Sequence, residues 1–461
     1  MSRERPINAD EPRSEESERV EAEVGSDKAA AQPPEPASEP AAGPKPAPPQ
    51  VRNRRSIPGA VKAVVALVLL AIVFIVVAVI GGSNGSKDEE QPAPAPSIAQ
   101  GEAKPDGNTA TTQTATELGY PAFATNNTTR IGGSDPAANA AATALAVFPS
   151  TVPAQRPAAV AVAGEDDWQA ALAAAVLMAP PVRAPLLLST PDEMPDASSE
   201  ALTALDPAGS KDTGNTAVFA IGDVAVSGGG KETKVKGGDA AAEGAAVAAL
   251  RERLTSSPPA HFLVVPQSAP AFAMPAAAWA ARSGDPILFS EAKKLPEAAA
   301  AVLKKHPKVP VYVLGPADAI SSAVVNEIAK IGENVHRVAA ADPIANAIAF
   351  ARFHDGSFGW NVNDPGHGFI LARDESPLDA AAAAPLSASG TWGPLLLTDN
   401  AATLPDPVRE YFLDVKPGYT NDPTRAFYNH VWVIGDQEAI DVNQQAEVNE
   451  LTELAKIGGE G

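Results

Sequence analysis

The chain has no cysteine, which removes disulfides, zinc-thiolate sites and cysteine nucleophiles together. It is also short of basic charge: 35 Lys and Arg stand against 56 Asp and Glu, a formal net charge of −21, and most of the excess acid lies beyond residue 119. A generic binder of nucleic acid or anionic lipid carries the opposite sign, so neither is expected as a partner. Catalytic signatures are missing too. Gly228 to Gly230 with Lys231 lacks phosphate-loop spacing, no Gly-x-Ser-x-Gly elbow stands between an expected strand and helix, and no His-Glu-x-x-His segment occurs. No catalytic constellation emerges, and the chain reads as non-enzymatic, without cofactor or metal.

What is present is repetition. Three times a proline opens an apolar run that ends in a hydroxyl: Pro185 to Ser189, Pro286 to Ser290 and Pro394 to Thr398, each followed by a second proline, Pro195, Pro296 and Pro405. Upstream of each stands a basic residue, a β-branched residue and an aspartate: Arg130-Ile131 to Asp135, Lys234-Val235 to Asp239, Arg337-Val338 to Asp342. Downstream each unit closes on an apolar run ending in glycine, at Gly222, Gly315 and Gly435. A period of about a hundred residues is too long for a solenoid and makes each unit a small α/β subdomain.

The chain is accordingly divided into seven parts. Residues 1–56 are rich in Pro, Ala, Glu and Ser with few large apolar side chains, and are expected to be a disordered cytoplasmic tail. Residues 57–82 contain an uncharged run from Ala63 to Gly82, enough helix to cover roughly 30 Å of hydrocarbon, and are expected to form a transmembrane signal anchor. Arg52, Arg54, Arg55 and Lys62 before it, against Asp88, Glu89 and Glu90 after it, put the N-terminus inside and the bulk of the chain outside. Residues 83–118 read as a flexible linker, 119–231, 232–332 and 333–442 as the three repeats, and 443–461 as a C-terminal tail.

Within a repeat, Asp135, Asp239 and Asp342 sit where a helix should begin, followed in two cases by Pro at the first helical position. Helices are expected over Ala137 to Val147, Ala240 to Leu254 and Ile344 to Phe353, then strands over Ala159 to Ala163, Phe262 to Val265 and Phe369 to Ala372. Alanine-rich helices come next, over Ala170 to Ala179, Ala271 to Ala281 and Asp379 to Ala388; their small side chains permit close packing on a sheet or on one another. The fold class is α/β, with parallel strands, right-handed crossovers and cover on both sheet faces. The closing glycines supply positive φ or close approach at the turn.

This succession, with Ala384-Pro385-Leu386 in the third unit, resembles the type 2 cell-wall-binding repeat of Gram-positive and actinobacterial envelopes, over about 129–228, 233–325 and 336–442. The resemblance implies three Rossmann-like or Toprim-like units in a pseudo-threefold body that attaches the chain to a secondary wall polymer or peptidoglycan-linked glycan, with ligand between adjacent units. The family's acid at the head of the alanine-rich helix survives only as Asp379; Ala170 and Phe272 take its place in the other units. The double glycine survives as Gly132-Gly133 and Gly237-Gly238 and becomes Ala339-Ala340 in the third.

The candidate ligand-binding residues begin with the basic set. Arg130, Lys234 and Arg337 either grip an anionic polymer from symmetric places or pair with the nearby Asp135, Asp239 and Asp342. Asp379 is the retained family acid. Tyr419 and Tyr428, in a polar loop with Phe427, suit stacking on sugar faces, although large aromatics also fill cores, as Trp432 is expected to do inside its strand. Trp360 and Trp392 make the third unit aromatic-rich. His354, Asp355, Asp364 and His367 match no helical ligand spacing and read as loop polar residues. The other readings are an extracytoplasmic small-ligand or enzymatic α/β domain, and an envelope protein-interaction module in which the tail meets a cytoplasmic protein partner.

Overall fold

The computed structural model describes residues 124–332, 334–388 and 393–457. The tail, hydrophobic segment and linker expected over 1–118 lie outside the described residues, as does Trp392. Among the described residues, no helix is long and apolar enough to cross a membrane.

The chain runs β1 (Thr128–Ile131), α1 (Pro136–Val147), β2 (Val160–Gly164), α2 (Trp168–Ala174), β3 (Leu186–Ser189), α3 (Asp196–Leu205) and β4 (Val218–Ile221). It continues through β5 (Glu232–Val235), α4 (Ala240–Thr255), β6 (Phe262–Pro266), α5 (Pro270–Ala273), α6 (Pro275–Ser283), β7 (Ile287–Ser290), α7 (Glu297–Lys305), β8 (Val311–Leu314) and α8 (Ser322–Ala329). The last stretch is β9 (Val335–Val338), α9 (Pro343–Arg352), β10 (Gly368–Arg373), α10 (Pro377–Ala388), β11 (Leu395–Thr398), α11 (Asp406–Asp414), β12 (Gly418–Tyr419), β13 (His430–Ile434), α12 (Val442–Thr452) and β14 (Ala455–Lys456).

Three four-stranded parallel sheets result, in the orders β3-β2-β4-β5, β7-β6-β8-β9 and β11-β10-β13-β1; β12 and β14 form a small parallel pair. The opening strand of each sequence unit therefore pairs not with its own unit but with the preceding sheet. For the first unit the preceding sheet is the last one, where Thr128 to Ile131 align with Val431 to Ile434. Residues 443–457, expected as a tail, instead supply α12 and β14, and α12 packs on β1 and β13.

Local chemistry explains the recurring prolines. Pro185, Pro286 and Pro394 precede the edge strands β3, β7 and β11, where a missing N–H breaks no ladder, while their carbonyls accept from Ala161, Leu263 and Ile370 at 2.9, 3.0 and 3.0 Å. The terminal hydroxyls of Ser189, Ser290 and Thr398 are fully buried and bond turn carbonyls, Ser189 Oγ reaching Ala225 O at 2.7 Å. Pro195, Pro296 and Pro405 stand at the N-caps of α3, α7 and α11, each followed by an acid that meets the positive end of the helix.

Two apolar layers hold each sheet. On the inner side, α2, α6 and α10 pack on one another through Ala170 to Ala174, Ala276 to Ala281 and Ala380 to Ala384, all buried, so the expected close approach of the alanine-rich helices is between counterparts. On the outer side, α3, α7 and α11 cover the edge strands. A bulky side chain at the centre has nowhere to go. Ala277→Leu or Ala381→Leu should cost about 1 to 3 kcal/mol through overpacking, read as a lower urea midpoint with an unchanged slope; full stability in both variants would contradict a close-packed centre.

Candidate functional site

The strand C-termini meet the donated strands at three junctions, and the same few bonds recur there. Gly222, Gly315 and Gly435 all take positive φ, at 80°, 105° and 98°, and each N–H continues the ladder to Val235, Val338 or Ile131 at 2.9, 2.9 and 3.0 Å. Past the junction, Asp135, Asp239 and Asp342 cap α1, α4 and α9, each accepting at 2.8 Å from the N–H three residues on. One turn further, Asn139, Glu243 and Asn346 accept from the amides of Gly133, Gly237 and Ala340 at 2.6, 2.5 and 3.0 Å, fixing the loop between strand and helix. Gly133 is obligatory at its place, because a Cβ there would lie 2.2 Å from the Ala138 Cβ.

The basic set splits. Arg130 is buried, with Nε on Gln445 Oε1 at 3.0 Å and its remaining nitrogens on the carbonyls of Gly435, Asp436 and Ile440 at 2.8, 2.6 and 2.5 Å. Arg337 repeats this on Gly315 O at 2.5 Å and Ile320 O at 2.7 Å. Burial lowers the pKa of both guanidiniums from the usual arginine value. Neither pairs with the aspartate that follows it; both brace the turn that leads into the next helix, α12 or α8. After β4 there is no such helix, only the glycine-rich loop to β5, and Lys234 accordingly stays out in solvent, 3.6 Å from Glu232 with its side chain 68% exposed.

Asp379 sits at the β13/β1 junction, 7% exposed, and accepts from Asn139 Nδ2 at 2.9 Å. Burial, with Asp135 and Asp436 adding like charge, raises its pKa to about 6 against the Asn139 bond. Where the acid is replaced by Ala170 or Phe272, the matching buried atoms, Glu243 Oε1 and Asn346 Nδ2, have no hydrogen-bond partner. Burial first, and the nearby Asp167, likewise raise the Glu243 carboxyl. A cleft of about 380 Å³ opens at the β4/β5 junction, lined by Asp166, Asp167, Gln169 and Asp223 among others, an acceptor-rich surface.

Tyr419 is half-buried and its backbone joins β14, with Ile457 N donating to Tyr419 O at 2.7 Å. Tyr428 is 55% exposed, beside the 70% exposed Phe427, and donates to Pro423 O at 2.9 Å. Trp432 lies in β13 as expected, half-buried and packed against the core of the last sheet, edge-on to His430 at 5.2 Å. The loop acids do not converge: Asp364 pairs with His367 at 3.2 Å, while Asp355 accepts from Tyr312 at 3.0 Å, and among the described residues no three such side chains are grouped to hold a metal ion.

The chain is similar in fold to two proteins from Clostridium difficile, Cwp8 and Cwp6. Cwp8 gives a TM-score of 0.54 at 21% identity over 71% of this chain and 52% of that one. Cwp6 gives 0.55 at 16% identity over 71% and 48%. The chain thus spans about half the length of the solved structures it matches. No family model and no curated protein matches the sequence.

The junction bonds give two measurable outcomes. Arg130→Met should lose about 3 kcal/mol, because several buried carbonyls are left unpaired, whereas Lys234→Met should stay within about 0.5 kcal/mol of the parent; equal midpoints in urea would contradict the bracing role. Asp379, whose folded pKa lies above its unfolded value, binds its proton more tightly in the folded state, so its contribution falls as pH rises from about 4 to about 6. Asp379→Asn should flatten that part of the stability profile and raise stability at pH 7 by about 2 kcal/mol, checked by thermal melting from pH 4 to 8.

Proposed function

We propose that the three-sheet body attaches this chain to the cell wall, by engaging a secondary wall polymer or a peptidoglycan-linked glycan without chemical conversion of it. The observation that carries the reading is the fold likeness to Cwp8 and Cwp6, cell wall proteins of Clostridium difficile. The thrice-repeated sequence motif, and its recurrence as three equivalent junctions, supports the same reading through the resemblance to cell-wall-binding repeats. In this proposal the hydrophobic run from Ala63 to Gly82 holds the N-terminal end in the membrane and the linker reaches outward, so the chain ties membrane to wall.

The junction chemistry favours sugar hydroxyls over bare phosphate. Arg130 and Arg337 have already committed their donors to carbonyls. Asp166, Asp167 and Asp223 at the open β4/β5 cleft are acceptors, suited to hydroxyl donors or to a polymer whose charge a divalent cation bridges. Exposed Tyr428 and Phe427 add a surface on which a sugar ring can rest.

The purified chain should sediment with isolated cell walls and stay in solution once secondary polymer has been stripped from them. Added chelator separates cation bridging from direct hydroxyl recognition. Failure to sediment with intact walls, with or without divalent cation, removes the attachment role.

A further inference from the structure

A second cleft, of about 590 Å³, opens at the other end of the strands, where β6 and β7 begin and the loop after α9 crosses over them. Its wall carries an unbroken hydrogen-bonded chain. Ser357 Oγ lies 3.1 Å from His261 Nε2, and His261 Nδ1 lies 3.0 Å from Asp285 Oδ2. Asp285 is 1% exposed and accepts two further bonds, from the His261 backbone N–H at 3.0 Å and from the Trp279 indole N–H at 2.9 Å.

Those partners set which nitrogen carries the proton in the neutral imidazole ring. An indole nitrogen only donates, so the Asp285 oxygens are acceptors and the imidazole carries its proton on Nδ1. Nε2 is then a lone pair facing a serine hydroxyl, the polarity that a general base needs toward a nucleophile. The hydroxyl is reachable: Ser357 is exposed, on the tight turn between Asp355 and Phe358, where Gly356 takes φ of 61°. Trp360 lines the same cleft; its indole nitrogen is itself buried.

We propose that Ser357, His261 and Asp285 form an acyl-transfer site that hydrolyses esters of short acyl groups. Ser357 Oγ bonds to the ester carbonyl carbon as its proton passes to His261 Nε2, and the carbonyl π pair moves onto the carbonyl oxygen. The tetrahedral adduct collapses by breaking the bond to the leaving alcohol, which departs with the proton from Nε2. Water then adds to the acyl-serine, gives a proton to Nε2, and the carboxylic acid leaves as Oγ takes that proton back. Asp285 is a positioning residue that holds the imidazole in one tautomer. Arg282 and the polar chain itself make the cleft inhospitable to a long acyl tail, while Trp279 and Trp360, edge to face at 5.3 Å, offer an apolar wall suited to the face of a sugar bearing the ester.

This activity is separate from wall attachment and its test has its own readout. The intact chain is treated with a fluorophosphonate probe and, separately, with p-nitrophenyl acetate. The expected results are covalent labelling at Ser357 and ester hydrolysis above the buffer rate. Ser357→Ala changes an exposed turn and should fold normally; it should abolish the label and lower hydrolysis by about a hundredfold, while sedimentation with walls is unchanged. His261→Gln, with folding checked by thermal melting, should lower both signals. A folded chain that takes no label at Ser357, or that hydrolyses the ester equally well as Ser357→Ala, overturns the proposal.

Discussion

Each of the three four-stranded sheets takes its fourth strand from another sequence unit, where the backbone groups of that strand find their ladder partners. β5 completes the first sheet, β9 the second, and β1 the last. The final pairing joins residues some three hundred positions apart and turns a linear series of repeats into a closed one. Helices α2, α6 and α10 can meet at one centre because each is held by a sheet that is tied to the next. No one unit is complete by itself: its sheet borrows a strand, and its opening helix packs on a neighbour's alanine-rich helix.

That closure explains why the two arginines are internal. At each of these junctions the turn after the closing glycine gathers backbone carbonyls around the arginine, among them Gly435 O and Ile440 O at one and Gly315 O and Ile320 O at the other. A planar group with five donors can satisfy several at once, and Arg130 and Arg337 do so. The glycine-rich loop after β4 never gathers such carbonyls, and a lysine suffices. Equivalent positions in the sequence are therefore not equivalent in chemistry, because a helix succeeds the strand in two units and a glycine-rich loop in the other.

Much of this organisation was legible from residue order. Asp135, Asp239 and Asp342 are the helix caps they were expected to be, the closing glycines do take positive φ, and the runs after Pro185, Pro286 and Pro394 are buried strands. These features depend on neighbours a few residues away. Illegible were features that depend on distant chain: the shift of each opening strand to another sheet and the order in residues 443–457. The relay of His261, Asp285 and Ser357 is of the same kind. Its members fall at two strand beginnings and on a turn 96 residues from His261, in no spacing that a motif records. The histidines and acids that do crowd together in sequence, near residue 360, form no joint group of ligands among the described residues, although His367 lines the same cleft.

Because β1 is both the first element of the body and the strand that locks its last sheet, mechanical load has a defined path. A pull on the N-terminal side, applied along the strand axis, meets the Thr125 and Asn127 bonds to Asn449 and then Thr128 to Ile131. There it strains the parallel ladder to β13, the Arg130 bonds and the polar contacts to Gln445 and Asn449 simultaneously. Bonds that share a shear force yield together rather than one after another, so the seam between β1 and β13 is also where tension would be borne.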